Sequence, residues 1–257
     1  MKFQVHFLFV VPARPANTVA AGNHSGDDIG DAAHRAPAAV LDALADMPRK
    51  GHGVLIAPQW VVTCAHNVAS TAPAYVTIGG LPREVDKVVV HPGYRTLPKP
   101  LVDAAMVSGD AGPVMAFLAA ADDVALLRLR QPIMHIHPVR LHLGSNEVGE
   151  TIALFGNGAQ PRTVLRHGPG LVTSADHRWM VYRFDRPKAL ALDDVMGSRD
   201  DGAPAPAVRE GQWQLAGLAA WREVRGDMRK PGRYGDNGVG VRLSRYAQWL
   251  RDVMATN

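Results

Sequence analysis

Apolar residues along the chain come in short runs that turn residues separate. Two of these runs, at 54–56 and 60–62, flank Pro58, and the second leads through Thr63 to His66. Short apolar runs bounded by Gly and Pro predict two strands joined by a tight turn. The pattern therefore places His66 just beyond the end of a buried strand.

Several further runs predict an all-β fold of antiparallel strands. They lie at 75–78, 84–90, 124–129, 151–158, 178–185, 214–221 and 235–244. Near the C-terminus, apolar residues recur at positions 246, 249, 250 and 253, the spacing of an amphipathic helix. A short helix is predicted at 38–45. Residues 93–119 show little strand character and are expected to form a long surface connection.

Composition limits the class of protein. The chain has 257 residues, of which 47% are hydrophobic, enough for one large all-β domain or two small ones. The formal net charge is +4 and no basic run occurs, so no nucleic-acid partner is predicted. No apolar stretch reaches the roughly 18 residues of a membrane span. Cys64 is the one cysteine, which excludes an internal disulfide and favours a packed, inert thiol.

The first residues resemble a leader. Residues 1–22 begin with Met-Lys and an apolar run, so they are a candidate signal peptide or a disordered N-terminus. Polar residues interrupt that run. The sequence therefore does not favour a secreted or periplasmic location over a cytoplasmic one. Residues 23–257 are expected to form the folded domain.

Three blocks carry a resemblance to the trypsin-like (chymotrypsin-fold, S1) serine peptidases. Residues 53–68 resemble the family's histidine block, in which the histidine is the general base. Residues 122–129, Asp-Asp-Val-Ala-Leu-Leu-Arg-Leu, resemble "DIALLRL", and Asp123 matches the aspartate that orients the histidine. Residues 199–204, Arg-Asp-Asp-Gly-Ala-Pro, resemble "GDSGGP", and Asp201 occupies the place of the nucleophilic serine.

The resemblance implies a specific architecture. It implies two packed antiparallel six-stranded β-barrels and a closing C-terminal helix. The first barrel is expected at about 51–139, the second at about 150–243, and the helix at 244–254. Activated members of the family bury a freed Ile-Val terminus against the aspartate before the serine. Here Asp200 is present, but Ile29 lacks the preceding basic residue, which argues against such a switch.

The family's mechanism lacks its nucleophile in this chain. The histidine of the triad removes a proton from a serine hydroxyl, and Asp201 has none to offer. Arg199 replaces the glycine of the oxyanion loop, and Asp200 follows it. We therefore expect a catalytically impaired or inactive homologue that keeps the His66–Asp123 pair. The alternative is an active endopeptidase or esterase with a non-standard nucleophile such as Ser198.

The expected substrate pocket also departs from the family pattern. Val195 stands where trypsin carries its specificity aspartate, so Lys and Arg side chains would gain no counter-charge. Ala220, Trp221 and Arg222 match "SWG", and Arg222 replaces the glycine that pairs with substrate backbone. The resemblance implies a peptide or protein ligand in the cleft between the barrels.

A histidine cluster raises the question of a metal. His135, His137 and His142 include a His-x-His pair, which can place two imidazoles on one strand face. No carboxylate or cysteine lies at a useful spacing, so these side chains are predicted to face solvent. Neither a metal nor a cofactor is predicted.

Overall fold

A computed structural model describes residues 38–49, 51–156, 166–184, 204–209, 212–229 and 237–257. The helices are α1 (Ala38–Asp42), α2 (Lys99–Ser108), α3 (Gly112–Ala119) and α4 (Leu243–Thr256), with a 3-10 turn at Ala65–Asn67. The strands are β1 (Leu44–Asp46), β2 (His52–Ala57), β3 (Trp60–Thr63), β4 (Tyr75–Ile78), β5 (Leu81–Val90), β6 (Ala125–Leu129), β7 (Arg140–Leu141), β8 (Thr151–Gly156), β9 (Arg166–Ala175), β10 (Trp179–Phe184), β11 (Pro204–Arg209), β12 (Gln212–Arg222) and β13 (Gly238–Arg242).

The first six strands in the chain form a closed barrel in the order β1-β2-β3-β6-β5-β4. Strands β3 and β6 are antiparallel neighbours, with Thr63 opposite Ala125. The end of β3 therefore lies beside the start of β6. This register brings the residues that follow β3 and those that precede β6 to the same edge of the barrel.

The remaining strands form a second sheet in the order β11-β12-β13-β10-β9-β8, and β7 pairs with β12 in parallel. Strand β11 also contacts β8, so the sheet curls toward closure. Its inner residues join one continuous core with the first barrel. The predicted all-β class with two barrel-like sheets and a closing helix is confirmed.

Helix α4 closes the molecule with the predicted apolar stripe. Tyr246, Leu250 and Val253 are buried at the expected helical spacing. The helix is longer than predicted by one residue at its start and two at its end. Just before it, Arg242 forms a bidentate ion pair with the buried carboxylate of Glu147, at 2.9 and 2.8 Å. This pair fixes the linker between the two sheets to the start of the helix.

The helix predicted at 38–45 was too long. It ends at Asp42, and Leu44 and Ala45 belong to β1, which pairs with both β2 and β4. Strand β1 completes the barrel, because without it β2 and β4 would each present an unpaired edge. The barrel therefore begins before residue 51, the predicted start.

Residues 93–119 contain two helices. Pro98 and Pro100 lie at the start of α2, where a missing N–H costs little, and Gly109 ends it with φ +82°. Pro113 lies in the first turn of α3. We call 99–119 the insertion helices. Over the part of the chain that the structure describes, no helix combines the length and apolarity needed to cross a membrane.

Candidate active site

His66 and Asp123 meet at the edge of the first barrel. Asp123 Oδ2 lies 2.6 Å from His66 Nδ1, and Asp123 Oδ1 accepts a hydrogen bond of 2.9 Å from the His66 backbone N–H. An ionised carboxylate only accepts, so the short contact assigns the proton to Nδ1. The His66 side chain is 23% exposed and that of Asp123 is 9% exposed. The pair thus has the orientation in which Nε2, on the far side of the ring, can receive a proton.

Tyr94 lines the same region as a neutral phenol. Burial, reinforced by the charge of Asp123, raises the pKa of Tyr94 to about 12. Tyr94 therefore adds no negative charge beside that of Asp123 near neutral pH. The carboxylate of Asp123 keeps its role as acceptor for the imidazole.

Asp122, the residue before Asp123, connects three parts of the molecule. Its Oδ1 accepts hydrogen bonds from Tyr246 of α4 (2.8 Å) and from Arg178 of the second sheet (2.9 Å). Burial alone would raise the pKa of Asp122, but these two hydrogen bonds outweigh it and hold that pKa below its usual range. Its other oxygen lies 3.7 Å from His91 Nδ1. The backbone that carries Asp123 is thereby fixed to both the helix and the second sheet.

Sequence reasoning did not identify Asp122 as part of this network. It noted Asp122 only as the neighbour of Asp123. The available signal was the pair of adjacent aspartates at the start of a strand. One carboxylate is enough to orient the histidine, so the second is available for other partners. The partners of the second carboxylate, Arg178 and Tyr246, are distant in sequence and could not be assigned.

Cys64 lies behind the pair and connects it to the second sheet. Its Sγ donates to the carbonyl oxygen of Ala219 at 3.0 Å, and the thiol is fully buried. One ligand-type atom from each of Cys64, His66 and Asp123 falls within 4.8 Å of the others. A metal ion would have to replace the hydrogen bonds that these atoms already make. The arrangement therefore fits a hydrogen-bonded pair with a packed thiol.

The predicted pocket residues Ala220, Trp221 and Arg222 form the end of β12. They are 3%, 6% and 9% exposed, so none of them offers an open side-chain surface. Trp179 covers Trp221, with ring centroids 4.0 Å apart and planes at 67°. Trp179 in turn donates from Nε1 to the carbonyl of Ala119, at the end of α3. Sequence reasoning missed Trp179, because its contact with Trp221 comes from sheet packing and has no local signal.

Tyr182 fills further space on this side of the molecule. Gly238 pairs with Arg222 on one side and with Tyr182 on the other, so the three residues form a row across the sheet. A Cβ on Gly238 would lie 2.1 Å from the Tyr182 ring, so only glycine fits beneath that ring. Burial raises the pKa of Tyr182 far above its usual range, and the nearby charge of Arg222 opposes this shift. The phenol therefore stays neutral within the sheet.

The remaining predicted site residues are Asp201, Arg199, Asp200, Val195 and the alternative nucleophile Ser198. All of them lie outside the described residues, as does Ile29. Their roles stay predictions from the sequence.

The three histidines considered as metal ligands differ in burial. His135 and His137 are exposed, as predicted, and His135 Nε2 lies 3.4 Å from Arg83 Nη2. The prediction that His142 faces solvent was wrong. Pairing of β7 with β12 buries it, and its Nδ1 lies 3.3 Å from Gln214 Oε1.

The fold and the His–Asp pair define a class of protein, the two-barrel serine peptidases, and comparison with known proteins agrees. The family model described as "Trypsin-like peptidase domain" matches residues 51–204. A calcium-dependent serine proteinase of Mesocricetus auratus is 25% identical over 251 residues, covering 82% of this chain. The match covers 33% of that protein, so the chain spans about a third of its length.

A solved structure supports the fold. The structure titled "Kallikrein-related peptidase 10 complex with Zn2+" superposes with a TM-score of 0.61 at 17% identity. It covers 87% of this chain and 100% of the kallikrein chain. The chain belongs to the trypsin-like peptidase family.

Proposed function

We propose that this chain is a catalytically impaired trypsin-like peptidase homologue that binds a peptide beside His66 and Asp123. The observation that carries the proposal is the combination of a well-formed His–Asp pair with an aspartate, Asp201, at the sequence position of the nucleophile. The pair can accept a proton, but no hydroxyl stands at that position to supply one.

The chemical consequence is large. Removing the serine from a comparable triad lowers turnover on the order of a million-fold. A carboxylate that attacked an amide would form an anhydride, a poor intermediate for peptide cleavage. Asp201 would also place a second negative charge beside His66, which favours the protonated imidazole over the base that catalysis needs.

The pairing of β12 supports a peptide-binding edge. Among the described strands, β11 pairs with β12 only as far as Leu218, while β13 continues to Arg222. Beyond Leu218, no described strand pairs with β12 on the β11 side, and the carbonyl of Ala219 there accepts from Cys64 Sγ, next to the His–Asp pair. A peptide can add to such an edge as one more strand.

Two further substitutions reduce the expected activity. Arg199 stands at the glycine of the oxyanion loop, where a side chain disfavours the peptide geometry that aims the N–H. Misplacing one such donor lowers turnover roughly 100-fold. Arg222 adds a long buried side chain at the position that aligns substrate backbone. Asp201 is therefore proposed as one of several changes, not as a single lesion.

Reversion tests the proposal. Asp201→Ser should give weak cleavage of chromogenic peptides, best with a small or apolar residue before the cut because Val195 lines the pocket. Adding Arg199→Gly and Arg222→Gly should raise kcat/KM by roughly a further 100-fold. Full family-like turnover from the single revertant, or a preference for Lys and Arg, would contradict the proposal.

The alternative function is an active endopeptidase or esterase that uses Ser198. The intact geometry of His66 and Asp123 favours it, since that geometry serves a base in any hydrolase of this class. Hydrolysis of p-nitrophenyl acetate by the native chain, abolished by both Ser198→Ala and His66→Ala, would establish this alternative. Loss with His66→Ala alone would indicate only a nucleophilic imidazole.

A further inference from the structure

Arg83 is a partly buried arginine that pairs with no carboxylate among the described residues. Arg128, Arg178 and Arg242 are also partly buried, and each of them pairs with a carboxylate. Arg83 instead contacts His135, whose Nε2 accepts from Arg83 Nη2 at 3.4 Å. The Nε of Arg83 is buried and meets no acceptor in the described part of the chain. This guanidinium is therefore partly removed from water without a counter-charge, which costs free energy.

Arg83 lies at the end of the first barrel that is farthest from His66. In the antiparallel pairing of β4 and β5, it is opposite the fully buried Val76, so its side chain leaves β5 on the inner face of the barrel. At the other end of β5, Val90 is opposite Ala125, at the edge that carries the His–Asp pair. At about 3.3 Å per residue, the strand between Arg83 and Val90 is roughly 20 Å long. A ligand at Arg83 is therefore distinct from a ligand beside His66.

The two segments that meet at Arg83 contain no acidic residue. One is the end of β4 with its turn into β5, 77–83, and the other is 131–137, after β6. They are in close contact, because an added Cβ on Gly79 would lie 2.8 Å from Ile136 Cδ1. The positive charge of Arg83 is therefore not offset by either segment.

Two exposed apolar side chains flank Arg83. Leu81 is 54% exposed and lies two residues earlier on the same face of β5. Met134 is 78% exposed and directly precedes His135, the residue that contacts the guanidinium. We call Leu81, Arg83, Met134 and His135 the distal patch. It combines one uncompensated arginine with apolar surface that is exposed to solvent.

We propose that the distal patch is a docking surface for a protein partner whose contacting segment carries a carboxylate beside apolar side chains. The guanidinium fork matches the geometry of a carboxylate, which would supply the missing counter-charge. Leu81 and Met134 would pack against the neighbouring apolar side chains of the partner and exclude water from the ion pair. Nucleic acids and anionic membranes are held by several cations at once, whereas this patch has one arginine.

Matched tripeptides test the chemistry of the ligand. The native chain, isotope-labelled for NMR, would be titrated with acetyl-Leu-Glu-Leu-amide, with the same peptide carrying glutamine in place of glutamate, and with acetyl-Gly-Glu-Gly-amide. We expect the first peptide to shift the signals of Met134 and His135 and to bind several-fold more tightly than the other two. Equal affinity for the glutamate and glutamine peptides would overturn the proposal.

A variant pair shows whether Arg83 reads the carboxylate. Arg83→Gln should abolish the preference for glutamate, so that the two leucine-containing peptides bind equally. Arg140→Gln is the matched control, because Arg140 is an exposed arginine outside the distal patch, and it should keep the preference. Retention of the preference in Arg83→Gln would place the peptide elsewhere, for example beside His66, and would overturn the proposal.

Stability separates a docking role from a structural one. Arg83→Met keeps a long side chain and removes the charge, so the thermal midpoint should be unchanged or raised, because no carboxylate partner is lost. Arg128→Met is the control, since it leaves Asp86 without its arginine and should lower the midpoint. A midpoint lowered by Arg83→Met as much as by Arg128→Met would show that Arg83 serves the fold, and would overturn the proposal.

Vesicle sedimentation tests the competing class of partner. Vesicles of phosphatidylserine and phosphatidylcholine would be mixed with the native chain and with Arg83→Gln, and the pelleted protein measured. We expect no difference between the two proteins, because one arginine adds little to membrane attraction. Strong pelleting of the native chain that Arg83→Gln abolishes would assign the distal patch to a membrane surface and overturn the protein partner.

Discussion

The first barrel and the second sheet differ in how their predicted site residues are held. On the first-barrel side, His66 and Asp123 are joined by two hydrogen bonds and sit at the ends of neighbouring strands. On the second-sheet side, Trp221 and Arg222 are buried, and Trp179 packs against Trp221. The His66–Asp123 pair has the geometry of a proton acceptor, while the predicted pocket residues of β12 have buried side chains.

The difference has a physical cause. The register of β3 and β6 inside one closed barrel is sufficient to place His66 against Asp123. The second-sheet side is assembled from β12, β13 and the insertion helices, which are distant from one another in sequence. A side assembled from distant segments can change at any one of them without loss of the fold. A well-formed His–Asp pair is therefore poor evidence of activity by itself.

The largest effect is expected from removing the carboxylate that orients His66. In an Asp201→Ser background, Asp123→Asn should lower kcat by roughly 10,000-fold, because an amide favours the wrong imidazole tautomer. Steady-state kinetics on a chromogenic peptide measures this loss. Asp122→Asn is the matched control, since its carboxylate serves Tyr246 and Arg178 instead of His66. Comparable losses from the two substitutions would show that the pair is not the proton-accepting unit.

A second prediction concerns the scaffold of the second sheet. Glu147→Ala should lower the free energy of unfolding by about 3–5 kcal/mol, because it leaves the mostly buried Arg242 without its carboxylate. Urea denaturation at neutral pH measures the change. Glu84→Ala, which removes the exposed partner of Arg130, should cost only about 0–1 kcal/mol. Similar costs for both would mean that the second sheet is not held by this buried pair.

The smallest effect is expected from His91, which lies where the first barrel meets α4. It contacts the rings of Tyr246 and Trp249, and its Nδ1 accepts from the Gly93 N–H. Burial lowers the pKa of His91 below its ordinary 6.5, against the opposing charge of Asp122 and with help from Arg245 and Arg178. The unfolded chain then binds the proton more readily than the folded chain. The contribution of neutral His91 to stability is therefore fully present above about pH 6.5 and is lost as the pH falls through the lowered pKa.

His91→Asn tests this pH dependence, because the amide oxygen can still accept from Gly93. The decline in unfolding free energy between about pH 7 and about pH 5 should be smaller in the variant, by about 1 kcal/mol or less. Urea denaturation at several pH values gives the comparison. A steeper decline in the variant would show that His91 is stabilised by protonation instead.

The sequence predicted what short-range patterns determine. The apolar runs that end at His66 and begin after Asp123 predicted the strands correctly, and the spacing at Tyr246 and Leu250 predicted the closing helix. Strand β1 was mistaken for helix because Leu44 and Ala45 have good helix propensity. Pairing with β2 and β4 outweighs that local preference.

Contacts between distant segments could not be predicted from a single sequence. The Pro and Gly signals of the two insertion helices were available at Pro100, Gly109 and Pro113, but nothing local indicates that they dock on 223–229. Likewise, nothing local in the sequence indicates that Trp179 packs against Trp221. Long-range packing decides both, and sequence reasoning was least complete on this side of the molecule.

The proposed impairment requires that no activated nucleophile stands beside His66. The most direct test is incubation of the native chain with a fluorophosphonate probe, followed by intact-mass and peptide mapping, with an active trypsin-like peptidase as positive control. The account predicts no stoichiometric adduct on the native chain and a slow adduct at position 201 in the Asp201→Ser variant. A stoichiometric adduct on any serine of the native chain, Ser198 above all, would contradict it.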